Sequence, residues 1–319
     1  MARIVIVGGS GFIGTRLINL LKAQGETDLL NVDIAPSKVH PDITKKGDVR
    51  RLFDMLEALS HADTVVLLAA QHRDDVRPAS RYYETNVDGM SNVLKAMSEH
   101  GVRKMVFISS VSVYGHNSDS PDEAATPRPT NDYGRSKWQA EQMLHRWHEH
   151  HPECRITVVR PTVVFGEDNR GNVYNLLHQI QGGRFLMVGR GTNIKSMAYV
   201  GNVAAFVNYL MQEETAAYQI YNYVDKPDYD MNHLVGLVGE TLHKHIPATH
   251  FPLWLGLLGG YAFDALSFIT RRQLTISSQR IRKFCATTQF SAHKALATGF
   301  QPPYPIEEAL KRTLRYEFG

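Results

Sequence analysis

The chain has 319 residues, 43% of them apolar and 21% charged, with 35 basic against 32 acidic side chains for a formal net charge of +3. That is the composition of an ordinary globular enzyme, long enough for a nucleotide domain and a smaller second lobe. It excludes a disordered chain, and the near balance of charge leaves no general basic field for nucleic acid.

The first predicted element is a strand at 3–7, apolar throughout from Ile4 to Val7, as suits a strand buried on both faces of a parallel sheet. It runs into Gly8-Gly9-Ser10-Gly11-Phe12-Ile13-Gly14 and then a helix at 12–24. Gly8, Gly11 and Gly14 permit a tight turn, close backbone approach to a pyrophosphate and close helix packing, while the helix N-terminus faces the phosphates. A second strand at 29–33 ends in Asp33, nineteen residues after Gly14. A carboxylate there bonds ribose hydroxyls and repels a 2′-phosphate. Ile34-Ala35-Pro36-Ser37 supplies no arginine and Lys38 is the one nearby cation, so the expected cofactor is NAD rather than NADP.

A helix near 50–59, a strand at 64–69, a helix near 81–99, a strand at 104–109, a helix at 133–150 and a strand at 156–160 continue the alternation. Such a pattern predicts an α/β fold with a Rossmann-type doubly wound parallel sheet, and 1–165 is the expected NAD-binding domain. Beyond Pro161 the pattern loosens into turns at Gly182-Gly183 and Gly189-Arg190-Gly191, a helix near 200–212 and a strand near 219–224. The sheet is expected to be completed by about 197–225, with 166–319 forming mainly a smaller C-terminal substrate-binding lobe.

Phe251 to Thr270 holds a single charge, Asp264, and is followed by Arg271-Arg272. Pro252, Gly256, Gly259, Gly260 and Asp264 make it a poor membrane-spanning helix. Two readings stay open: an interfacial segment in which Trp254, Leu255, Leu258, Tyr261 and Phe263 enter the headgroup region while the arginines meet anionic lipid, or a helix buried in the lobe or at a dimer face.

Cys154 and Cys285 are the two cysteines, in no Cys-x-x-Cys spacing, and the first residues read as a core strand rather than a signal peptide, which predicts a reduced, cytoplasmic protein. His145, His148, His150 and His151 cluster at a predicted helix end. No cysteine or paired carboxylate completes a metal shell there, so they read as a solvated face and no metal is expected.

Tyr133 and Lys137 lie four apart, on one helix face. The ordinary tyrosine pKa of about 10 is too high for a base at neutral pH. A neighbouring ammonium and a positively charged nicotinamide ring both favour the phenolate. The spacing itself is common; its weight comes from following a strand whose Ser109 and Ser110 stand at the C-terminal end, where ligands of such sheets bind.

Gly8-x-x-Gly11-x-x-Gly14, Asp33, Gly47-Asp48-Val49, Leu68-Ala69-Ala70, Asn86-Val87, Ser109-Ser110-Val111-Ser112-Val113-Tyr114-Gly115, Tyr133-x-x-x-Lys137 and Arg160-Pro161 together resemble the extended short-chain dehydrogenase/reductases, which include the sugar-nucleotide epimerases and dehydratases. The likeness covers the whole chain. It implies that Gly8, Gly11, Phe12, Ile13, Gly14, Asp33, Leu68, Ala69, Ala70, Asn86 and Pro161 line the cofactor and that Asp48 and Val49 contact its adenine. Asn86 has a second reading, in which it merely bonds helix backbone. Catalysis is implied for Ser110, Tyr133 and Lys137: Tyr133 takes the C4 hydroxyl proton, C4 gives its hydride to NAD⁺, and the 4-keto sugar turns over and takes hydride back on its other face. Ser110 shares the hydroxyl proton, and Lys137 orients the nicotinamide ribose and lowers the Tyr133 pKa.

Ala69 to Val76, Asn169 to Leu177, Lys195 to Asn202, Tyr221 to Asp228 and Lys283 to Phe290 are similar to the bacterial 4-epimerases that act on N-acetylglucosamine joined to undecaprenyl diphosphate in O-antigen synthesis. This likeness implies a lipid-linked or nucleotide-linked amino sugar, no nucleic acid, peripheral contact with the inner membrane, and a homodimer through the helices near 81–99 and 133–150. His72, Arg73, Ser110, Ser112, Arg170 and Asn172 are the substrate candidates, with Arg190, Lys195 and Arg280 as further cations for a diphosphate. Thr162-Val163-Val164 stands where sugar-nucleotide epimerases often carry an asparagine, which bears on UDP recognition.

Four rivals share parts of this pattern. A soluble UDP-sugar 4-epimerase has the same chemistry but needs a uracil pocket not legible here. A 4,6-dehydratase carries an Asp-Glu pair where this chain has Val111-Ser112. A non-catalytic NAD-binding scaffold keeps the glycine turn while losing the tyrosine or lysine, and a steroid-type dehydrogenase releases reduced cofactor.

Overall fold

The computed structural model describes residues 3–73, 76–115, 120–183, 185–213, 217–246, 249–270 and 278–319. Short apolar strands, β1 (Ile4–Val7), β2 (Leu29–Asp33), β3 (Thr44–Lys46), β4 (Thr64–Leu67), β5 (Lys104–Ile108) and β6 (Arg155–Pro161), alternate with α1 (Phe12–Ala23), α2 (Leu52–Leu59), α3 (Ser80–Tyr83), α4 (Gly89–His100) and α5 (Asp132–Glu149). Next come β7 (Val163–Phe165), α6 (Asn172–Gln181), β8 (Met187–Val188), β9 (Ile194–Tyr199), α7 (Val200–Gln212) and β10 (Tyr218–Tyr223). The seven-stranded sheet runs β10-β6-β5-β4-β1-β2-β3, with every pair parallel. Strand order reverses between β1 and β4, so the crevice beyond their C-terminal ends is the switch point at which such sheets bind ligands.

Both sheet faces are covered because both carry apolar side chains. β1 and β4 are buried at every position. Met55 and Leu59 of α2, Met90 and Val93 of α4 and Leu144 of α5 close one face. On the other, Leu17, Ile18 and Leu21 of α1 pack with Val203, Phe206 and Val207 of α7. The three α1 side chains are at most 1% exposed, each burial being worth about 1.5–3 kcal/mol relative to solvent.

The remaining elements are β11 (Asp225–Asp230), α8 (Met231–Leu242), β12 (His250–Phe251), α9 (Leu253–Thr270), α10 (Ser278–Cys285), α11 (His293–Ala297) and α12 (Ile306–Phe318). β11 pairs antiparallel with β9, which pairs parallel with β7, and β12 pairs parallel with β8. A third apolar cluster joins α6, α8, α12 and β9.

The structure refines three readings of the sequence. The strand predicted at 64–69 stops at Leu67, because the Leu68 and Ala69 amides both donate to the Val7 carbonyl at 2.8 Å and curl the chain over the glycine turn. The helix predicted near 81–99 runs without interruption from Ser80 to His100, with one wider turn at Glu84–Asp88 joining α3 to α4. The apolar segment forms α9 but is not buried: Trp254 is 62% and Leu258 59% exposed, and Leu255, Tyr261 and Phe263 are exposed with them. Its close approaches are at Gly256 against Val188 and Gly260 against Ser278 and Ile281 of α10. Arg271 and Arg272, and the side chain of Arg280, lie outside the described residues. Among the described residues no helix is long and apolar enough to cross a membrane.

Candidate active site

The glycine turn is tight for reasons internal to the chain at two positions and open at a third. Gly8 has φ +90°, and a Cβ there would lie 2.4 Å from the Ala69 nitrogen; at Gly14 it would lie 2.4 Å from the Gly9 Cα. At Gly11 the nearest atom to a built Cβ is the Gly8 carbonyl oxygen at 3.4 Å, an ordinary contact. No side chain caps α1 at Gly11 and no acidic residue stands in its first turn. The first amides of the helix are thus available to an anion, which fits a pyrophosphate laid against Gly11. Phe12 and Ile13 follow, half-buried, with Phe12 beside Gly166.

Around the turn, the Asp33 carboxylate accepts from the Ser10 and Ala35 amides, each at 3.0 Å, which holds it at the β2 terminus. The Arg50 guanidinium chelates Asp48 at 2.6 to 3.0 Å, and this bonding keeps the Asp48 carboxyl below its ordinary range. Val49 is buried against Gly89, and its carbonyl accepts from Asn92 at 3.0 Å. Leu68, Ala69 and Ala70 line the crevice edge, half-buried. Pro161, buried at the end of β6, is paired with Tyr223 of β10.

The catalytic candidates meet where β5 ends against α5. Asn131 caps that helix, its Oδ1 accepting from the Gly134 amide at 2.7 Å. Gly134 packs so closely that a Cβ there would lie 2.5 Å from the Ser112 carbonyl oxygen. Ser110 caps the turn at Val111–Tyr114, its Oγ accepting from the Ser112 amide at 3.1 Å and standing 3.1 Å from Ser112 Oγ. Lys137, 2% exposed, donates from Nζ to the Ile108 carbonyl at 2.8 Å over the Phe107 ring. Burial drives its ammonium down to about 7, with Glu141 pulling the other way. Tyr133 is half-buried and packs against Tyr82 with ring centroids 6.4 Å apart. The Tyr82 hydroxyl donates to the Arg73 carbonyl, which brings the loop bearing His72 and Arg73, both exposed, to the Tyr133 side of the site.

Asn86 is a clasp. Its amide exchanges two hydrogen bonds with the Gln71 backbone, at 2.8 and 3.1 Å, and donates to Ser136 Oγ at 2.8 Å. It therefore binds the loop after β4 to the helix that carries Tyr133 and Lys137.

Sequence reasoning did not find the group beneath this site. Arg160 and Glu141, each 1% exposed, form a bidentate pair with Arg160 Nε 3.0 Å from Oε1 and Nη2 2.5 Å from Oε2 of Glu141. Ser109 Oγ also donates to Glu141, and Arg160 Nη1 donates to the Tyr114 hydroxyl at 2.7 Å. The Tyr114 hydroxyl donates in turn to Asn222 Oδ1 at 2.9 Å. The signal for Glu141 was its position one helical turn after Lys137; Arg160 had appeared only as a motif residue.

The substrate candidates are dispersed. Asn172 opens α6, whose start at Gly171 is uncapped by any side chain. Arg170 is 73% exposed, 3.7 Å from Glu317 and 4.8 Å over the Tyr174 ring. Lys195 donates to the Ala286 carbonyl at 2.6 Å, and Arg190 is exposed. The Thr162 hydroxyl is buried without a hydrogen-bond partner among the described residues.

A family model described as the NAD dependent epimerase/dehydratase family matches residues 4–223. The chain belongs to that family. It is 53% identical, over 99% of its own length and 95% of the relative's, to the N-acetyl-α-D-glucosaminyl-diphospho-ditrans,octacis-undecaprenol 4-epimerase of Escherichia coli O157:H7. Among solved structures, the UDP-glucose 4-epimerase of Thermotoga maritima with UDP-glucose superposes with a TM-score of 0.77 at 22% identity, covering 98% of both chains. The UDP-glucose 4-epimerase of Thermus thermophilus complexed with NAD gives 0.74 at 21%, again over 98% of both. These two likenesses establish the fold. The family assignment makes the chain an NAD-dependent, epimerase-type enzyme.

Proposed function

We propose that the protein is a 4-epimerase that interconverts N-acetylglucosamine and N-acetylgalactosamine on undecaprenyl diphosphate, for O-antigen or related surface polysaccharide synthesis. The observation that carries this is the near full-length 53% identity to the E. coli enzyme of that name. Gly8, Gly11, Phe12, Ile13, Gly14, Asp33, Asp48, Val49, Leu68, Ala69, Ala70 and Pro161 would hold NAD, which would supply reversible hydride exchange at C4, while the Asn86 amide, spent on Gln71 and Ser136, would shape that site without touching the cofactor.

The chain's own groups manage the proton and the pose. Tyr133 removes the C4 hydroxyl proton and later restores it, while Ser110, held by Ser112, hydrogen-bonds the same oxygen. Lys137 stands one helical turn from Tyr133, and its positive charge favours the phenolate. Asn86 fixes the loop of His72 and Arg73 against that helix, so the sugar is clasped between fixed elements. Arg170 and Asn172 at the start of α6 are assigned to the diphosphate.

The exposed apolar side chains of α9 support peripheral binding at the cytoplasmic face of the inner membrane, where a lipid-linked sugar resides. A homodimer through α4 and α5 completes the reading. Its seam would be polar, since among the described residues neither helix carries a large exposed apolar side chain. The chemical test is to supply undecaprenyl-diphosphate N-acetylglucosamine, hydrolyse off the sugar and follow absorbance of reduced cofactor. N-acetylgalactosamine should appear without net NADH; reduced cofactor accumulating with turnover would indicate a dehydrogenase instead.

A further inference from the structure

α8 has two working faces. Met231, Leu234, Leu237 and Val238 are buried in the lobe, while Val235, Gly236 and Gly239 line a solvent-open cavity of about 510 Å³ whose other wall is Phe185, Met187 and Ile246. This volume lies within the range of pockets that hold small organic ligands.

Gly236 is the informative residue. A glycine in mid-helix is a poorer helix former than alanine. A Cβ built at Gly236 meets nothing within 4 Å, so no packing demand of the chain itself excludes a side chain there. At Gly239, by contrast, the Lys244 carbonyl oxygen stands 3.0 Å away. The missing side chain at Gly236 therefore keeps the cavity open.

The cavity's chemistry selects an apolar occupant. Its rim mixes Asn232, Glu240, Lys244, His245 and His250, and three of these are already engaged: Asn232 Nδ2 with the Arg190 carbonyl at 3.0 Å, Lys244 Nζ with Gln181 Oε1 at 2.7 Å, and His250 Nδ1 with the Gly189 carbonyl at 3.0 Å. Among the described residues no set of donors converges as a phosphate requires. His250 belongs to β12, and the chain passes from it through exposed Phe251 and Leu253 into exposed Trp254 of α9. The cavity's edge at His250 is thus joined by a few residues of chain to the helix that the membrane reading places in the bilayer.

We propose that this cavity holds isoprenoid units of the lipid-linked substrate, received from the bilayer along α9. The inference rests on the substrate reading given above and adds that preference for a lipid carrier is built in part into α8. The experiment measures KM for undecaprenyl-diphosphate N-acetylglucosamine and for a short-alkyl diphosphate analogue of the same sugar, both in mixed micelles, with wild type, Gly236→Phe and Gly236→Ala. Filling the cavity should raise the long-chain to short-chain KM ratio about tenfold in Gly236→Phe and less in Gly236→Ala. A ratio unmoved in both variants overturns the cavity assignment while leaving the epimerase reading intact; wild-type turnover confined to UDP-N-acetylglucosamine overturns both. Because the short-chain substrate reports folding and NAD binding in each variant, an equal loss on both substrates also counts against the cavity. A photoreactive isoprenoid diphosphate gives a second check: it should label the peptide containing α8, and labelling elsewhere would contradict the proposal.

Discussion

Lys137 is buried over Phe107, and desolvation weakens its ammonium to about 7. The folded value lies below the unfolded value of about 10.4, so between those pH values the unfolded chain binds the extra proton and this group's contribution to stability rises with pH. Melting temperatures of wild type and Lys137→Met should therefore diverge in favour of wild type as pH is raised from about 7 to about 10; a constant gap would show that the ammonium is not desolvated. For Tyr133, the phenol-to-phenyl change Tyr133→Phe should cost about 10²–10⁴ in turnover, the usual share of general acid–base catalysis, while NAD remains bound in fluorescence titration. Turnover within a few-fold of wild type would remove Tyr133 from the role of base. That these two residues share one helix face was legible from their spacing, and their nomination rested on placement after the strand that leads into Ser109 and Ser110. Asn86 was only half legible: its partners Gln71 and Ser136 lie 15 and 50 residues away, and nothing local announces them. Glu141 and Arg160 were obscured in the same way, since the pair forms only when β6 is laid beside β5 under α5.

The glycine turn and α1 form the element on which cofactor binding depends, and its glycines are not equivalent. Gly8→Ala forces a Cβ into the Ala69 backbone at a φ of +90° and should lower the melting temperature sharply. Gly11→Ala meets only an ordinary contact, so its stability without ligand should stay within about 0.5 kcal/mol of wild type while NAD affinity falls. Calorimetric titration separates the cases; undiminished affinity in a folded Gly11→Ala variant would place the pyrophosphate elsewhere. The parallel sheet was readable because β1 and β4 are apolar at every position. The helix near 81–99 was readable too, but not its wider turn at Glu84–Asp88, which carries Asn86 to Ser136 rather than following any local propensity.

Across the whole molecule, Glu167 ties the two parts of the chain. It accepts from Arg16 of α1 at 3.4 Å, from Arg312 of α12 at 2.5 Å and from the Tyr199 hydroxyl at 3.0 Å, so the helix behind the glycine turn is anchored to the C-terminal helix. The same lobe presents α9 to solvent. The sequence marked this segment as unusually apolar but left open whether it was buried, since burial depends on what packs over it, and among the described residues α10 meets it at Gly260 and Asp264, and Val188 meets it at Gly256. Leu258→Glu should abolish flotation with phosphatidylglycerol vesicles without altering the melting temperature by more than about 1 °C, because that side chain is 59% exposed. Unchanged flotation would assign the exposed face to another partner.

The most direct measurement offers the purified protein undecaprenyl-diphosphate N-acetylglucosamine in mixed micelles and UDP-N-acetylglucosamine in buffer, and follows the C4 configuration of each sugar by NMR. Turnover of the lipid-linked sugar, with the nucleotide sugar at least about a hundredfold poorer in kcat/KM, is the predicted result. Turnover of the nucleotide sugar alone would contradict it.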